Sequence, residues 1–166
     1  MIEELDGMID FKSDEYYMRE ALKLAAKAFE AGEVPVGAVV VQGDKVIARA
    51  HNQVEQLKDA TAHAEMIAIT QAASALGDWR LQECTLYVTK EPCPMCAGAA
   101  VLSRVQRIVF GVKDDKMGGA GGALNITRNG QFNHQIEVVS GLLKDEALGL
   151  LQSFFEEQRR KKGSGA

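Results

Sequence analysis

The chain has 166 residues, a net charge of −4 and an isoelectric point near 5.4. Apolar residues at 46% and charged residues at 25% belong to a globular protein with enough chain to bury a core, which excludes a disordered or fibrous class. The acidic balance does not advertise a nucleic-acid binder, although local patches outweigh totals.

No apolar run reaches bilayer length, so no membrane contact is expected. Met1 to Asp10 is acidic and lacks the basic-then-apolar pattern of a signal peptide, which makes a cytoplasmic protein the default. The cysteines are Cys84, Cys93 and Cys96, and an odd number without a signal peptide argues against a disulfide framework.

In chain order, Ser13-Asp14-Glu15 reads as a helix start, with a capping oxygen and acids in the first turn. Tyr17, Ala21, Leu24, Ala25, Ala28 and Phe29 follow at helical spacing, and Gly32 stops the run. Gly37 to Gln42 is a β-branched strand, Gly43-Asp44 a turn, and Val46 to Arg49 the returning strand of a hairpin. His63 to Leu76 reads as a helix ended by Gly77, Thr85 to Thr89 as a strand, and Cys93 to Leu102 as a helix of small residues. Arg107 to Gly111 is a further strand. Asp114 to Asn133, rich in Gly and Asn, is long enough for a loop in a compact domain to be functional. Ile136 to Ser140 is a fifth strand, and Lys144 to Lys162 is an amphipathic closing helix. Helices between strands predict an α/β fold with helices on both sheet faces. No linker or repeat divides the chain, so residues 1–166 read as one domain, with 1–12 and 163–166 as flexible ends.

Two motifs carry chemistry, each where a predicted helix begins: His63-Ala64-Glu65 and Pro92-Cys93-Pro94-Met95-Cys96. Cys93 and Cys96, three apart in a first helical turn, share a face, and Pro94 suits that turn because its missing N–H costs nothing there. A helix N-terminus favours thiolates, the form a zinc ion binds. His63 would be a third ligand, and soft sulfur with imidazole selects zinc. Three protein ligands leave a tetrahedral position for water, and Glu65, two residues beyond the ligand, can move its protons. A structural Cys3His site with Cys84 as fourth ligand is the rival, but it leaves Glu65 without a role. Cys84 is read instead as a buried small hydrophobe.

H-x-E followed by P-C-x-x-C is the signature of zinc nucleobase deaminases. The chain resembles the bacterial tRNA-specific adenosine deaminases, within the cytidine deaminase-like superfamily, over roughly residues 14–162. The resemblance is carried by Glu33-Val34-Pro35-Val36-Gly37-Ala38, residues 59–65, residues 86–99, Val109-Phe110-Gly111, Asn133-His134 and residues 150–155. It implies a three-layer α/β/α domain with a five-stranded mixed sheet, a homodimer, and conversion of adenosine to inosine at the anticodon wobble position. By matching motifs it implies zinc on His63, Cys93 and Cys96, and proton transfer by Glu65. It further implies base contacts from Asn52, the backbone near Ala64, Val36 and Pro92, and a substrate groove lined by Asp114, Asn133 and Phe155. The run Gly118-Gly119-Ala120-Gly121-Gly122 is richer in glycine than the family pattern, and Asn125 stands where acids are common. Lys113, Lys116 and the run Arg159, Arg160, Lys161 and Lys162 are the basic candidates for phosphate contact. A deaminase of a free base or nucleoside, such as guanine, cytosine or cytidine, is the alternative reading. A non-catalytic zinc-stabilised partner subunit is a further one.

Overall fold

A computed structural model describes residues 13–164 of the chain. Helix α1 (Asp14–Glu30) begins as its sequence demands: the Ser13 hydroxyl accepts the Tyr16 N–H at 3.1 Å, with Asp14 and Glu15 at the positive helix end. Strands β1 (Gly37–Gln42) and β2 (Lys45–His51) form the hairpin, and a four-residue helix, α2 (Val54–Leu57), follows. Then come α3 (Ala64–Leu76), β3 (Cys84–Lys90), α4 (Pro94–Leu102), β4 (Arg107–Val112), β5 (Glu137–Val139) and α5 (Lys144–Ser164).

The five strands form one mixed sheet in the order β2-β1-β3-β4-β5. β1 runs antiparallel to both β2 and β3, whereas β3, β4 and β5 are mutually parallel. Successive side chains on a strand face opposite ways, which splits the core in two. Val40, Leu86, Ile108 and Phe110 pack with Ala68, Ala72 and Ala100 of α3 and α4. Val39, Val41, Tyr87 and Val109 pack on the other face with Tyr17, Met18, Ala21 and Leu24 of α1. The small-residue composition of α3 and α4 lets both helices lie close to the sheet. This is the expected fold class, an α/β sandwich of three layers.

The structure differs from the sequence reading at short or terminal elements. Helix α2 is too short for periodicity to announce. The fifth strand keeps only three residues; Ile136 precedes it, is buried, and donates its N–H to the Thr127 carbonyl. Gly163 and Ser164, expected in a flexible end, fall within α5. Residues 1–12, 165 and 166, also expected to be flexible, lie outside the described residues.

A polar clamp fastens α1 to the sheet. The Arg107 guanidinium grips both Asp14 carboxylate oxygens, and Tyr87 Oη donates to Asp14 Oδ1 at 2.7 Å. The Arg107 hydrogen bonds hold the Asp14 carboxyl below its ordinary value of 3.8, against partial burial. An acid depressed in the folded state stabilises the fold above its unfolded value and loses that contribution as pH falls through the folded one. Asp14→Asn is therefore expected to cost about 1–2 kcal/mol at pH 7, given a bidentate but partly exposed pair. Urea unfolding checks this, and the gap from wild type should narrow as pH drops below about 4.

Candidate active site

Strand directions gather every sequence-predicted reactive residue at one end of the sheet. β2, β3 and β4 point the same way, so their C-terminal ends share an edge with the start of β1. Asn52 and His63 leave β2 there. Lys90, Glu91 and Cys93 leave β3, and Asp114 leaves β4. Val36 enters β1 at the same edge. Crevices beyond the C-terminal ends of strands are where α/β sheets bind ligands.

His63 is the N-cap of α3 and Cys93 the N-cap of α4, with Pro94 in the first turn. Two helix N-termini thus converge on one corner, and both favour anionic ligands. His63 Nδ1 lies 3.6 Å from Cys93 Sγ and 3.6 Å from Cys96 Sγ. Ligand bonds of about 2.3 Å to sulfur and 2.0–2.1 Å to nitrogen at a tetrahedral angle place sulfur and nitrogen about 3.6 Å apart. The three ligand atoms all fall within 4.8 Å of one another, so the donor set fits zinc in chemistry and spacing. Cys84 is not part of the group: it opens β3 while Cys93 follows its far end, about 20 Å along a seven-residue strand. It is buried, and burial pushes its thiol up to about 11.

The hydrogen bond from Cys96 pulls the Cys93 thiol down to about 4, with His63 helping and burial opposing. The same Cys93 pairing pushes Cys96 up, as does its burial. Glu65, in the first turn of α3, is 4% exposed. Burial holds its carboxyl above the ordinary glutamate range, against the pull of its own backbone N–H and of His63. A carboxyl that keeps its proton longer than usual suits proton transfer near neutral pH.

At this corner opens a cleft of about 870 Å³, lined by His63, Glu65 and Cys93 and also by Phe154, Phe155 and Gln158 of α5. Val36, Asn52 and Asp114 also line it. Ala64 is buried beneath, and its N–H donates to Asn52 Oδ1 at 3.2 Å, which fixes the Asn52 amide. Pro92 is buried beside the corner, where its carbonyl accepts the Gly119 N–H at 2.7 Å. Asn133 is not brought to this cleft: it lines a separate cavity of about 670 Å³ with Val101, Leu102, Ile126 and Phe132.

A family model for MafB19-like deaminases matches residues 12–159. The tRNA-specific adenosine deaminase of Bacillus subtilis is 57% identical over 149 residues, covering 90% of this chain and 92% of the relative. The chain belongs to the tRNA-specific adenosine deaminases. The Aquifex aeolicus enzyme of that name is 47% identical over 87% of this chain and 95% of its own. A solved structure from studies of A-to-I editing by tRNA:A34 deaminases superposes with a TM-score of 0.79 at 41% identity, over 82% of this chain and 99% of that one. A guanine deaminase from Nitrosomonas europaea superposes with a TM-score of 0.75 at 27% identity, over 86% and 84%.

Within this tRNA-specific adenosine deaminase fold, two buried carboxylates shape the cleft in ways the sequence reading missed. Glu33, 1% exposed, accepts the Glu55 N–H at 2.9 Å and the Gln56 N–H at 2.7 Å, capping α2 from a distant part of the chain. Glu91, 3% exposed, accepts the N–H groups of Asp114, Ala120 and Gly122 at 2.9–3.0 Å. The glycine-rich run is explained by this wrap: a Cβ at Gly118 would stand 2.1 Å from Glu91 Oε2, and one at Gly122 would stand 2.1 Å from the Asp114 carbonyl. The only sequence-level hint was an acid inside an apolar motif, and burial of an acid requires partners that the sequence does not display.

Proposed function

We propose that the chain hydrolyses the exocyclic amine of an adenosine in a tRNA anticodon loop, leaving inosine at the wobble position. The observation that carries this reading is a cleft that joins a His/Cys/Cys corner and a buried acid to residues of α5, with about 870 Å³ of room, more than a single base fills. The names of the relatives point to the same substrate.

His63, Cys93 and Cys96 would hold zinc, which when bound supplies the Lewis acid that makes water nucleophilic near neutral pH. Glu65 takes the proton of the attacking water as a bond forms to C6 of the base. It delivers that proton to N1, then carries the proton of the new C6 hydroxyl to the amine as the C6–N6 bond breaks, leaving the C6 carbonyl and ammonia. The Asn52 side chain has its Oδ1 occupied by Ala64, which leaves its amide N–H groups for the base. Val36, Pro92 and Phe155 enclose the base and its neighbours. The base must leave its stack to reach the corner, which a single-stranded loop permits.

A homodimer is part of this reading, and its support is the α4 face, where Leu102 is 71% and Phe132 43% exposed around the second cavity, with Asn133 on its lining. The reaction is placed in the cytoplasm. Among the described residues no helix is long and apolar enough to cross a membrane.

Incubating zinc-loaded protein with an RNA hairpin carrying one loop adenosine, beside free adenosine, cytidine and guanine, tests the reading by mass spectrometry. Inosine in the hairpin is expected. Conversion of a free base alone would move the assignment to a free-base deaminase.

A further inference from the structure

The cleft is lined by five carboxylates, those of Glu33, Glu55, Glu65, Glu91 and Asp114, and among the described residues by a single lysine or arginine, Lys90. An RNA backbone entering such a cleft meets like charge unless a cation answers it. Glu33 and Glu91 are buried and each engaged by backbone N–H groups, and Glu65 is buried at the corner. The charge at the mouth is therefore set mainly by Glu55, Asp114 and Lys90.

Lys90 ends β3, three residues before Cys93, and its side chain is 33% exposed. Its Nζ lies 3.1 Å from Asp114 Oδ2. Asp114 does not depend on this lysine. Its Oδ1 accepts the N–H groups of Lys116 and Met117, each at 3.0 Å, so the loop turn stands without the ion pair. A partly exposed pair of this kind is worth little and exchanges partners readily. An ammonium on a four-carbon stem can turn from Asp114 to an incoming oxyanion without disturbing the fold.

We propose that Lys90 is a specificity-determining contact to a phosphodiester beside the target nucleotide, exchanging Asp114 for phosphate as the substrate enters. A free base or nucleoside carries no phosphate and gains nothing from this exchange. Lys90 thereby favours a nucleotide within a strand over the free small molecule. The inference rests on the RNA-editing reading.

The test compares wild type with Lys90→Met, which keeps the apolar stem, and Lys90→Arg, which keeps the charge. Binding of a fluorescent RNA hairpin to zinc-loaded protein is followed by anisotropy across a salt series, beside deamination of the hairpin and of free adenosine. Lys90→Met is expected to weaken hairpin binding about tenfold and to reduce the slope of log affinity against log salt by about 1. It is also expected to lower the preference for hairpin over free adenosine, as a ratio of kcat/KM, by a similar factor, with Lys90→Arg restoring most of it. Asp114→Asn, which breaks the same ion pair but leaves the cation, should tighten hairpin binding. An unchanged salt slope in Lys90→Met, an equal loss on both substrates, or weakened binding in both Lys90→Met and Asp114→Asn would overturn the proposal. A wild-type protein that binds the hairpin with a Lys90-dependent slope yet leaves its adenosine intact would sink the editing reading and keep the phosphate contact. Absence of wild-type hairpin binding would sink both.

Discussion

Glu65→Ala is expected to retain zinc while kcat falls by about 10²–10⁴-fold, the usual contribution of a positioned general acid–base group. The side chain sits in the first turn of α3, two residues beyond His63, and is 4% exposed. No second buried acid of the cleft can replace it: Glu33 and Glu91 are both committed to backbone N–H groups. The variant should not lose stability in proportion. A carboxyl held above its ordinary range by burial is a cost to the folded state, and removing such groups is often neutral or stabilising. Metal analysis, thermal melts and single-turnover deamination separate the two effects. A wild-type rate in this variant would remove Glu65 from the mechanism, and loss of zinc would recast it as a support for the ligands.

Removal of the metal is the second large effect. Cys93→Ala, or prolonged treatment with a chelator, is expected to abolish deamination and to lower the melting temperature. Zinc that binds only the folded corner stabilises the fold by mass action, and its loss returns that stabilisation. Cys93 is the sensitive choice because it carries the lowered thiol. Re-addition of zinc should restore the chelated wild type and not the variant. Full activity after verified metal removal would refute a zinc-dependent reaction.

Much of this site was legible because its chemistry is written locally. Cys93, Pro94 and Cys96 form one helical turn, and His63 and Glu65 form another, so the two motifs announced both the ligands and the helix starts on which they sit. The strands were equally readable, since β1 and β3 alternate between two cores in the manner their apolar residues demand. Other features depend on distant partners. Glu91 is an unremarkable acid until three loop N–H groups, 23 to 31 residues away, close around it. The glycines at 118 and 122 look like slack in the sequence and are space-makers in the fold. Asn133 matched a motif, yet its position beside Phe132 and Leu102 follows from packing that no local pattern encodes.

The cleft is built from two separate stretches of chain. Residues up to Cys96 supply the whole metal corner and much of the cleft around it, whereas Asp114, Met117, Phe154, Phe155 and Gln158 complete the lining. Bond-breaking thus rests on the earlier segment alone, whereas substrate choice draws on both. Drift in the later residues can re-aim the enzyme at a new nucleic-acid shape while leaving the earlier ones untouched. Such a division makes the fold a ready starting point for new specificities, because part of the route to each runs through a loop and one helix that leave the metal corner unchanged.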